Sequence, residues 1–314
     1  MAAKKKPTNK QPAKKEIMGM PTRELFAQGH RGCAGCGAAI IARHTAKIAG
    51  PDTIIVNATG CLEVFTTPYP ETSWKVPWIH GAFENAAAIA SGIEMALIKQ
   101  GKRNNTNLIV MGGDGGTFDI GFGAISGAFE RGHKMTYICY DNEAYMNTGV
   151  QRSGATPKYS STTTSPAGKK IHGKQQFAKP LPFILAAHGA YVATANLAFL
   201  ADYKKKLEKA LKFNGPSYIQ IFSSCPTGWK HRTDMSIEVA KLAHQTRVYP
   251  LYEIENGMLR FSMKVPKPKQ LKEYYALQGR FKHLSDKEIA QMQKHVNENY
   301  EKLLELEKCG VRFC

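Results

Sequence analysis

Acidic residues are scarce in this 314-residue chain: 25 Asp and Glu stand against 43 Lys and Arg, for a formal charge of +18. The first fifteen residues hold six lysines and no acid, which leaves +12 on the rest. Such an excess suits a nucleic acid, an anionic membrane surface, an acidic protein partner, or simply a solvated lysine-rich surface. No aromatic-interleaved basic motif of an RNA-binding module accompanies it, so no nucleic-acid partner is expected. Long apolar runs are also missing, since nowhere do about 18 uncharged apolar residues follow one another, and no membrane association is expected. The opening "MAAKKKPTNKQPAKKE" lacks the apolar h-region of a signal peptide, and the expectation is a cytoplasmic chain. Internal repeats are absent. Cysteines are few and odd in number, at positions 33, 36, 61, 139, 225, 309 and 314. Without an export signal they argue against a disulfide framework and for ligation or catalysis.

What is present is an alternation of apolar strands and helices. Residues 1–20 are polar, without periodicity, and read as a flexible basic arm. "AAIIARHTAKIAG" has helical apolar spacing up to Gly50, and "TIIVNATG" is a short buried strand leading to Cys61. "FENAAAIASGIEMALIKQG" is a helix closed by Gly101. "NLIVMGGDGG" is a strand running into glycines, followed by helical "TFDIGFGAISGAFERG" and a second strand, "MTYICYDNEAYMNTG". Strand, glycine turn, helix, strand is a βαβ unit, and near-continuous apolar strands indicate a parallel sheet covered on both faces. The predicted class is α/β, a doubly wound, mostly parallel sheet whose ligands sit at the carboxyl ends of the strands. Residues 150–180 form a long functional loop. Further elements follow in "PFILAAHGA", "YVATA", a lysine-rich helix over 200–212, and "SYIQIFSS" delivering Cys225. Residues 21–235 are taken as the binding domain. Residues 236–314 are taken as a helical extension packed on the body or on a partner subunit. In it, Ser285 and Glu288 make a capping box, opening a helix with Ile289, Met292, Val296, Tyr300 and Leu303 on one face.

Two constellations carry chemistry. The first is "GDGG", residues 113–116, with "DN" at 141 and 142. A diphosphate held through Mg²⁺ needs hard oxygen ligands and glycines that let backbone amides approach the phosphates. Asp114 offers a carboxylate, Asn142 a side-chain carbonyl 28 residues later, and a backbone carbonyl just beyond could complete the set. This spacing resembles the thiamine diphosphate motif. The second is Cys33 and Cys36 on one glycine-rich loop, with Cys61 and Cys225 each following an apolar strand. Four thiolates suit tetrahedral Zn²⁺ or a 4Fe-4S cluster equally well by spacing. A thioredoxin-like dithiol fits poorly, because the Cys-x-x-Cys does not follow a first strand. Cys139 reads as a buried thiol of its strand.

The segments "GHRGCAGCG", "NATGCLEVFTTPYPETSWKVPWIHGAFENAAAIASGIE", "GGDGGTFDIGFGAISGAFERGHK", "YDNEAYMNTGVQRSGATP" and "CPTGW" together resemble the beta subunit of pyruvate:ferredoxin oxidoreductase and its 2-oxoacid relatives, in the family's order from about residue 25 to 230. The resemblance implies a thiamine diphosphate-binding fold, with Cys33, Cys36, Cys61 and Cys225 as ligands of one 4Fe-4S cluster. It implies Mg²⁺ on Asp114, Asn142 and the Ala144 carbonyl. Ala38 and Cys61 would line the cofactor, with Gly113, Asp114, Gly115 and Gly116, then Asn142, Glu143, Ala144, Tyr145, Met146 and Asn147, around its diphosphate and thiazolium; Asn147 would face the substrate as the catalytic residue. Gly37 and Ala38 would be small to let the cofactor close. Cys139, Cys309 and Cys314 match no ligand position. The implied reaction is oxidative decarboxylation with electrons passed singly to the cluster and on to ferredoxin. Pyruvate, with CoA as co-substrate, is the leading substrate, and oxalate, branched-chain 2-oxoacids and 2-oxoglutarate remain open. In this family the glutamate that activates the cofactor comes from the alpha subunit, and Glu63, Glu84 and Glu143 do not match it. Alpha, gamma and delta subunits, the last two separate or fused, are therefore the expected partners, with ferredoxin as acceptor.

Overall fold

The computed structural model describes residues 16–17, 19–68 and 72–310. The lysines of the expected arm and Cys314 lie outside the described residues. At the near end of that arm, β1 (Glu16–Ile17) and β2 (Met20–Pro21) form a two-residue antiparallel ladder.

The apolar runs become the strands of one sheet. These are β3 (Thr53–Ala58), β4 (Trp78–Gly81), β5 (Asn107–Gly113), β6 (Thr136–Asp141), β7 (Tyr191–Asn196), β8 (Ser217–Phe222), β9 (Leu251–Glu255) and β10 (Met258–Met263). Their order is β10-β9-β7-β8-β6-β5-β3-β4. The six strands from β7 to β4 pair in parallel, and β9 joins β7 antiparallel. Because side chains alternate along a strand, Ile55, Ile109 and Ile138 feed one core and Val56, Val110 and Tyr137 the other. The first face is covered by α1 (Gly37–Ala49), α6 (Leu200–Lys212), α8 (Ser236–Gln245) and α9 (Leu271–Ala276), and the second by α3 (Ala86–Lys99), α4 (Phe122–Glu130) and α5 (Leu181–Ala186). The result is the expected doubly wound α/β sheet. Two short helices, α2 (Cys61–Thr66) and α7 (Pro226–Trp229), begin just beyond β3 and β8. Among the described residues no helix is long and apolar enough to cross a membrane.

Several expectations are revised. Residues 236–314 are not only helical: β9 and β10 form a hairpin that extends the same sheet. Its turn is Asn256–Gly257, with φ of 50° and 73°, and an Asn-Gly pair in this conformation matches the twist of a hairpin. The helix expected over 117–132 starts as a wider turn over Gly116–Ile120 and becomes α-helical at Phe122. Gly121 permits this, since a Cβ there would stand 2.3 Å from the Gly116 carbonyl oxygen. The strand expected up to residue 149 stops at Asp141, and the remainder turns back over the sheet edge.

The last helix, α10 (Asp286–Cys309), carries the predicted capping box, with Glu288 N–H donating to Ser285 Oγ and Ser285 N–H to Glu288 Oε2. Met292, Val296 and Tyr300 are buried, Ile289 and Leu303 partly so. Loop 150–180 is pinned from inside by Lys174. Its buried ammonium donates to the carbonyls of Ser153, Gly154 and Thr156 at 3.2, 3.3 and 2.6 Å.

Candidate functional site

Four neighbouring parallel strands, β3, β5, β6 and β8, deliver Cys61, Asp114, Asn142 and Cys225 at their carboxyl ends. The backbone of a strand stops there, so side chains and the helix N-termini that follow can face one ligand. Cys33 and Cys36 arrive from a turn in which Cys36 N–H donates to the Cys33 carbonyl at 3.0 Å. Gly35 makes that turn possible: its φ is +74°, and a Cβ would sit 2.2 Å from the Thr233 carbonyl oxygen.

The four thiols form one electrostatic group. Burial pushes the Cys61 thiol up to about 12, and negative charge on Cys225, Cys36, Cys33 and Asp114 pushes the same way. Cys36 and Cys225 are raised chiefly by burial, and again by neighbouring cysteines. Such thiols keep their protons until a cationic centre displaces them. The surroundings are built for the charged form: Cys36 and Cys225 are N-caps and Cys61 the first residue of helices. Backbone N–H groups of Ala38 and Ala39 serve Cys36, and Gly228 N–H donates to Cys225 Sγ at 3.4 Å. Among the described residues no three His, Cys, Asp or Glu side chains converge closely enough for a single metal ion.

An unfolded thiol ionises near 9, whereas folded Cys61 holds its proton to about 12. The metal-free fold is therefore progressively penalised as pH rises across that window, and not below it. In urea titrations at pH 9 and 11, the wild-type chain loses more stability between the two than Cys61→Ser; equal losses would contradict this environment.

The second constellation stands beside the first. Asp114 is fully buried, accepts from Ser153 Oγ at 2.5 Å and from Asn142 N–H at 3.3 Å, and its carboxyl is raised by burial. The end atom of the Asn142 carboxamide lies 2.9 Å from both Asp114 Oδ1 and the Ala144 carbonyl oxygen. With nitrogen inward the amide donates to both; with oxygen inward three oxygens converge, an arrangement that requires a cation. Asp141 and Glu143 add two more buried carboxyls, both raised by burial; the negative charge of Asp114 and Glu143 raises Asp141 further, and the Arg280 guanidinium works against the rise at Glu143. Asp141 accepts from Gln220 Nε2 at 2.6 Å.

Above these oxygens opens a cleft lined by Cys61, Gly113, Gly115, Gly116, Asn142, Ala144, Tyr145, Met146 and Asn147, all expected, and by Thr59, Gly60, Phe83, Tyr140 and Thr148, which the sequence reading missed. Gly115 is tight against Tyr145, where a Cβ would meet the ring at 2.4 Å. Asn147 is exposed at the mouth.

Three expected roles shift. Ala38 is buried in α1 and serves through its N–H toward Cys36, outside the cleft lining. Gly37 is small because the segments that follow β7 and β8 pass close to it: a Cβ would lie 2.8 Å from Leu197 Cδ2 and from Ser223 Oγ. Glu143 turns its carboxylate away from the cleft, with Arg280 Nη2 2.5 Å from Oε2, a charge contact rather than an aligned hydrogen bond. Its φ of 64° produces this turn between Asn142 and Ala144. Cys139 is buried in β6, and Cys309 is exposed at the end of α10.

Residues 57–221 match a family described as thiamine pyrophosphate enzyme, C-terminal TPP binding domain. The chain is 56% identical over 289 residues to pyruvate synthase subunit PorB of Methanocaldococcus jannaschii, covering 90% of this chain and 97% of that one. It is 48% identical over 298 residues to pyruvate synthase subunit PorB of Thermotoga maritima, covering 90% and 92%. It is also 44% identical to ketoisovalerate oxidoreductase subunit VorB of Pyrococcus furiosus, covering 93% and 96%. Among solved structures, a 2-oxoglutarate:ferredoxin oxidoreductase from Magnetococcus marinus with 2-oxoglutarate, coenzyme A and succinyl-CoA bound shares the fold, with a TM-score of 0.55 at 22% identity over 71% of this chain and 82% of that one.

Proposed function

Since this chain belongs to the family of 2-oxoacid:ferredoxin oxidoreductase beta subunits, which carry a thiamine diphosphate-binding domain, we propose that it is the beta subunit of a cytoplasmic enzyme that oxidatively decarboxylates pyruvate, passes the acetyl group to CoA and delivers the electrons to ferredoxin. The observation that carries this is the meeting, at four adjacent strand ends, of Cys61 and Cys225, which feel the charge of Cys36 and Cys33, with the Asn142 carboxamide set 2.9 Å from both Asp114 Oδ1 and the Ala144 carbonyl oxygen.

In this reading Asp114, Asn142 and the Ala144 carbonyl hold Mg²⁺, and the diphosphate lies in the cleft that Gly113, Gly115 and Gly116 line. Cys33, Cys36, Cys61 and Cys225 hold a 4Fe-4S cluster. An electron acceptor beside the cofactor must be redox-active, which zinc is not, and this favours the cluster over zinc. When bound, the cofactor supplies stabilisation of the carbanion left by CO₂ loss, and the cluster a one-electron acceptor beside it.

The chain's own residues position and insulate. Ser153 fixes Asp114, helix N-termini and amides offset the thiolate charge, and Asn147 meets the substrate at the open mouth. Residues 21–235 contribute every one of these groups, and the described part of the extension, 236–310, packs against them. Glu63 stands 3.8 Å from His80 and Glu143 pairs with Arg280, so neither offers its carboxylate to the cofactor's aminopyrimidine. That group comes from an alpha subunit closing over the cleft, and gamma and delta polypeptides, separate or fused, complete the electron path.

The assembled enzyme, assayed anaerobically with CoA and a low-potential dye against a panel of oxoacids, turns over pyruvate fastest. Preference for 2-oxoisovalerate, 2-oxoglutarate or oxalate would overturn the substrate and keep the machinery.

A further inference from the structure

Two residues far apart in sequence tie the cysteine turn to the cation turn. Trp229, fully buried, closes α7, the helix that Cys225 caps, and its backbone N–H donates to the Cys225 carbonyl at 2.9 Å. Its indole Nε1–H donates to the Asn142 carbonyl oxygen at 2.8 Å. Arg280, also buried, lays its guanidinium over the Trp229 ring at 3.7 Å and presents Nη2 to Glu143 Oε2 at 2.5 Å. Gln278 Oε1 accepts from Arg280 Nε at 2.9 Å and fixes the plane of the guanidinium. The tie is reinforced where Met146 packs on the helix: a Cβ at Gly228 would sit 2.2 Å from its Sδ.

The peptide that this pair grips is unusual. Glu143 lies between the Asn142 side chain and the Ala144 carbonyl, in a left-handed conformation (φ 64°) that a non-glycine residue holds only when its surroundings impose it. Thr156 Oγ1 donates to the Glu143 carbonyl at 2.6 Å from one side, and Arg280 holds the carboxylate from the other. A buried charge pair of this kind is weak evidence of stability, but removing one partner leaves the other charge uncompensated at high cost. A guanidinium stacked on an indole serves both ends at once, through its plane and its fork.

We infer that Arg280 and Trp229 are positioning residues that brace the Cys225 turn against the Asn142–Ala144 turn, so that cluster binding and Mg²⁺-dependent cofactor binding support each other. The inference rests on the function proposed above. Neither residue touches the cleft, and a coupling of two sites through a shared element is reciprocal. The brace explains why an arginine near the chain's far end is buried against the site.

The test uses the assembled enzyme with wild-type chain, Trp229→Phe, Arg280→Met and the double variant. Thiamine diphosphate affinity is titrated at fixed Mg²⁺, and the reduced cluster is followed by electron paramagnetic resonance. Phe keeps an aromatic face for Arg280 and removes the indole N–H together with the volume of one ring. Affinity falls about tenfold in Trp229→Phe, in the range that loss of an outer-shell partner costs. It falls further in Arg280→Met, where Glu143 is left unpaired, and the double variant loses less than the product of the two, as residues acting as one unit do. The cluster signal persists with altered line shape in each. Should Arg280→Met not assemble, Arg280→Lys retains charge toward Glu143 and loses the stack, and an affinity loss there with the pair still charged supports the brace. Wild-type affinity in Trp229→Phe, or losses that multiply independently, would overturn the inference. A wild-type enzyme that binds no thiamine diphosphate, or whose chain carries zinc, would instead overturn the function on which it rests.

Discussion

Asp114→Asn lowers Mg²⁺-dependent thiamine diphosphate affinity by at least about 100-fold, the upper range for loss of a mere outer-shell partner. The substitution keeps the side chain's size, so the sheet and the cleft should be undisturbed. What goes is the one carboxylate of the set, whose Oδ1 stands 2.9 Å from the end of the Asn142 carboxamide. The site is fully buried, where a missing charge is not replaced by water. Burial also holds the Asp114 proton more firmly than in water, so the cation must displace it. Binding should therefore weaken as pH falls, in wild type and not in the variant. Titration of the cofactor against the assembled enzyme at several Mg²⁺ concentrations checks this, and an unchanged affinity would remove Asp114 from the site.

Cys225→Ser abolishes oxoacid-dependent dye reduction while leaving cofactor binding measurable. Cys225 caps α7 beyond β8, and its sulfur receives Gly228 N–H. Serine preserves the cap and the backbone geometry, since a hydroxyl also accepts there. It does not supply the thiolate that an iron centre prefers. Loss of turnover with a preserved fold therefore reads directly on ligation, and turnover within twofold of wild type would exclude Cys225 as a ligand.

Much of this site is legible in the sequence because the chemistry sits where a local pattern ends. An apolar strand running into "GDGG" or into "DN" marks the carboxyl edge of a parallel sheet, whatever the rest of the chain does. The strands β3, β5, β6 and β8 are adjacent in the fold, and this brings Cys61, Asp114, Asn142 and Cys225 together as expected. What local pattern cannot show is which way a residue turns once the strand has ended. Glu143 sits in the midst of the motif yet faces Arg280, because one left-handed residue redirects the chain. Gly37 reads as a cofactor neighbour, but its close contacts are Leu197 and Ser223, just past β7 and β8 and far off in sequence. Arg280 and Trp229 carry no spacing signal at all, since their partners come from other elements. The β9–β10 hairpin was legible: Asn256–Gly257 between "LYEIE" and "MLRFSM" is a strong hairpin signal, hidden by the charged residues on the strands' outer faces.

The central claim is that this chain's own cysteines hold an electron acceptor against the thiamine cofactor. It is tested most directly by freezing the assembled enzyme after anaerobic mixing with pyruvate, without external acceptor, and recording its electron paramagnetic resonance spectrum with and without Mg²⁺ and thiamine diphosphate. A reduced iron-sulfur signal that needs both, and that vanishes in Cys225→Ser, is expected. A signal of equal strength in that variant, or a colourless chain with stoichiometric zinc, would contradict it.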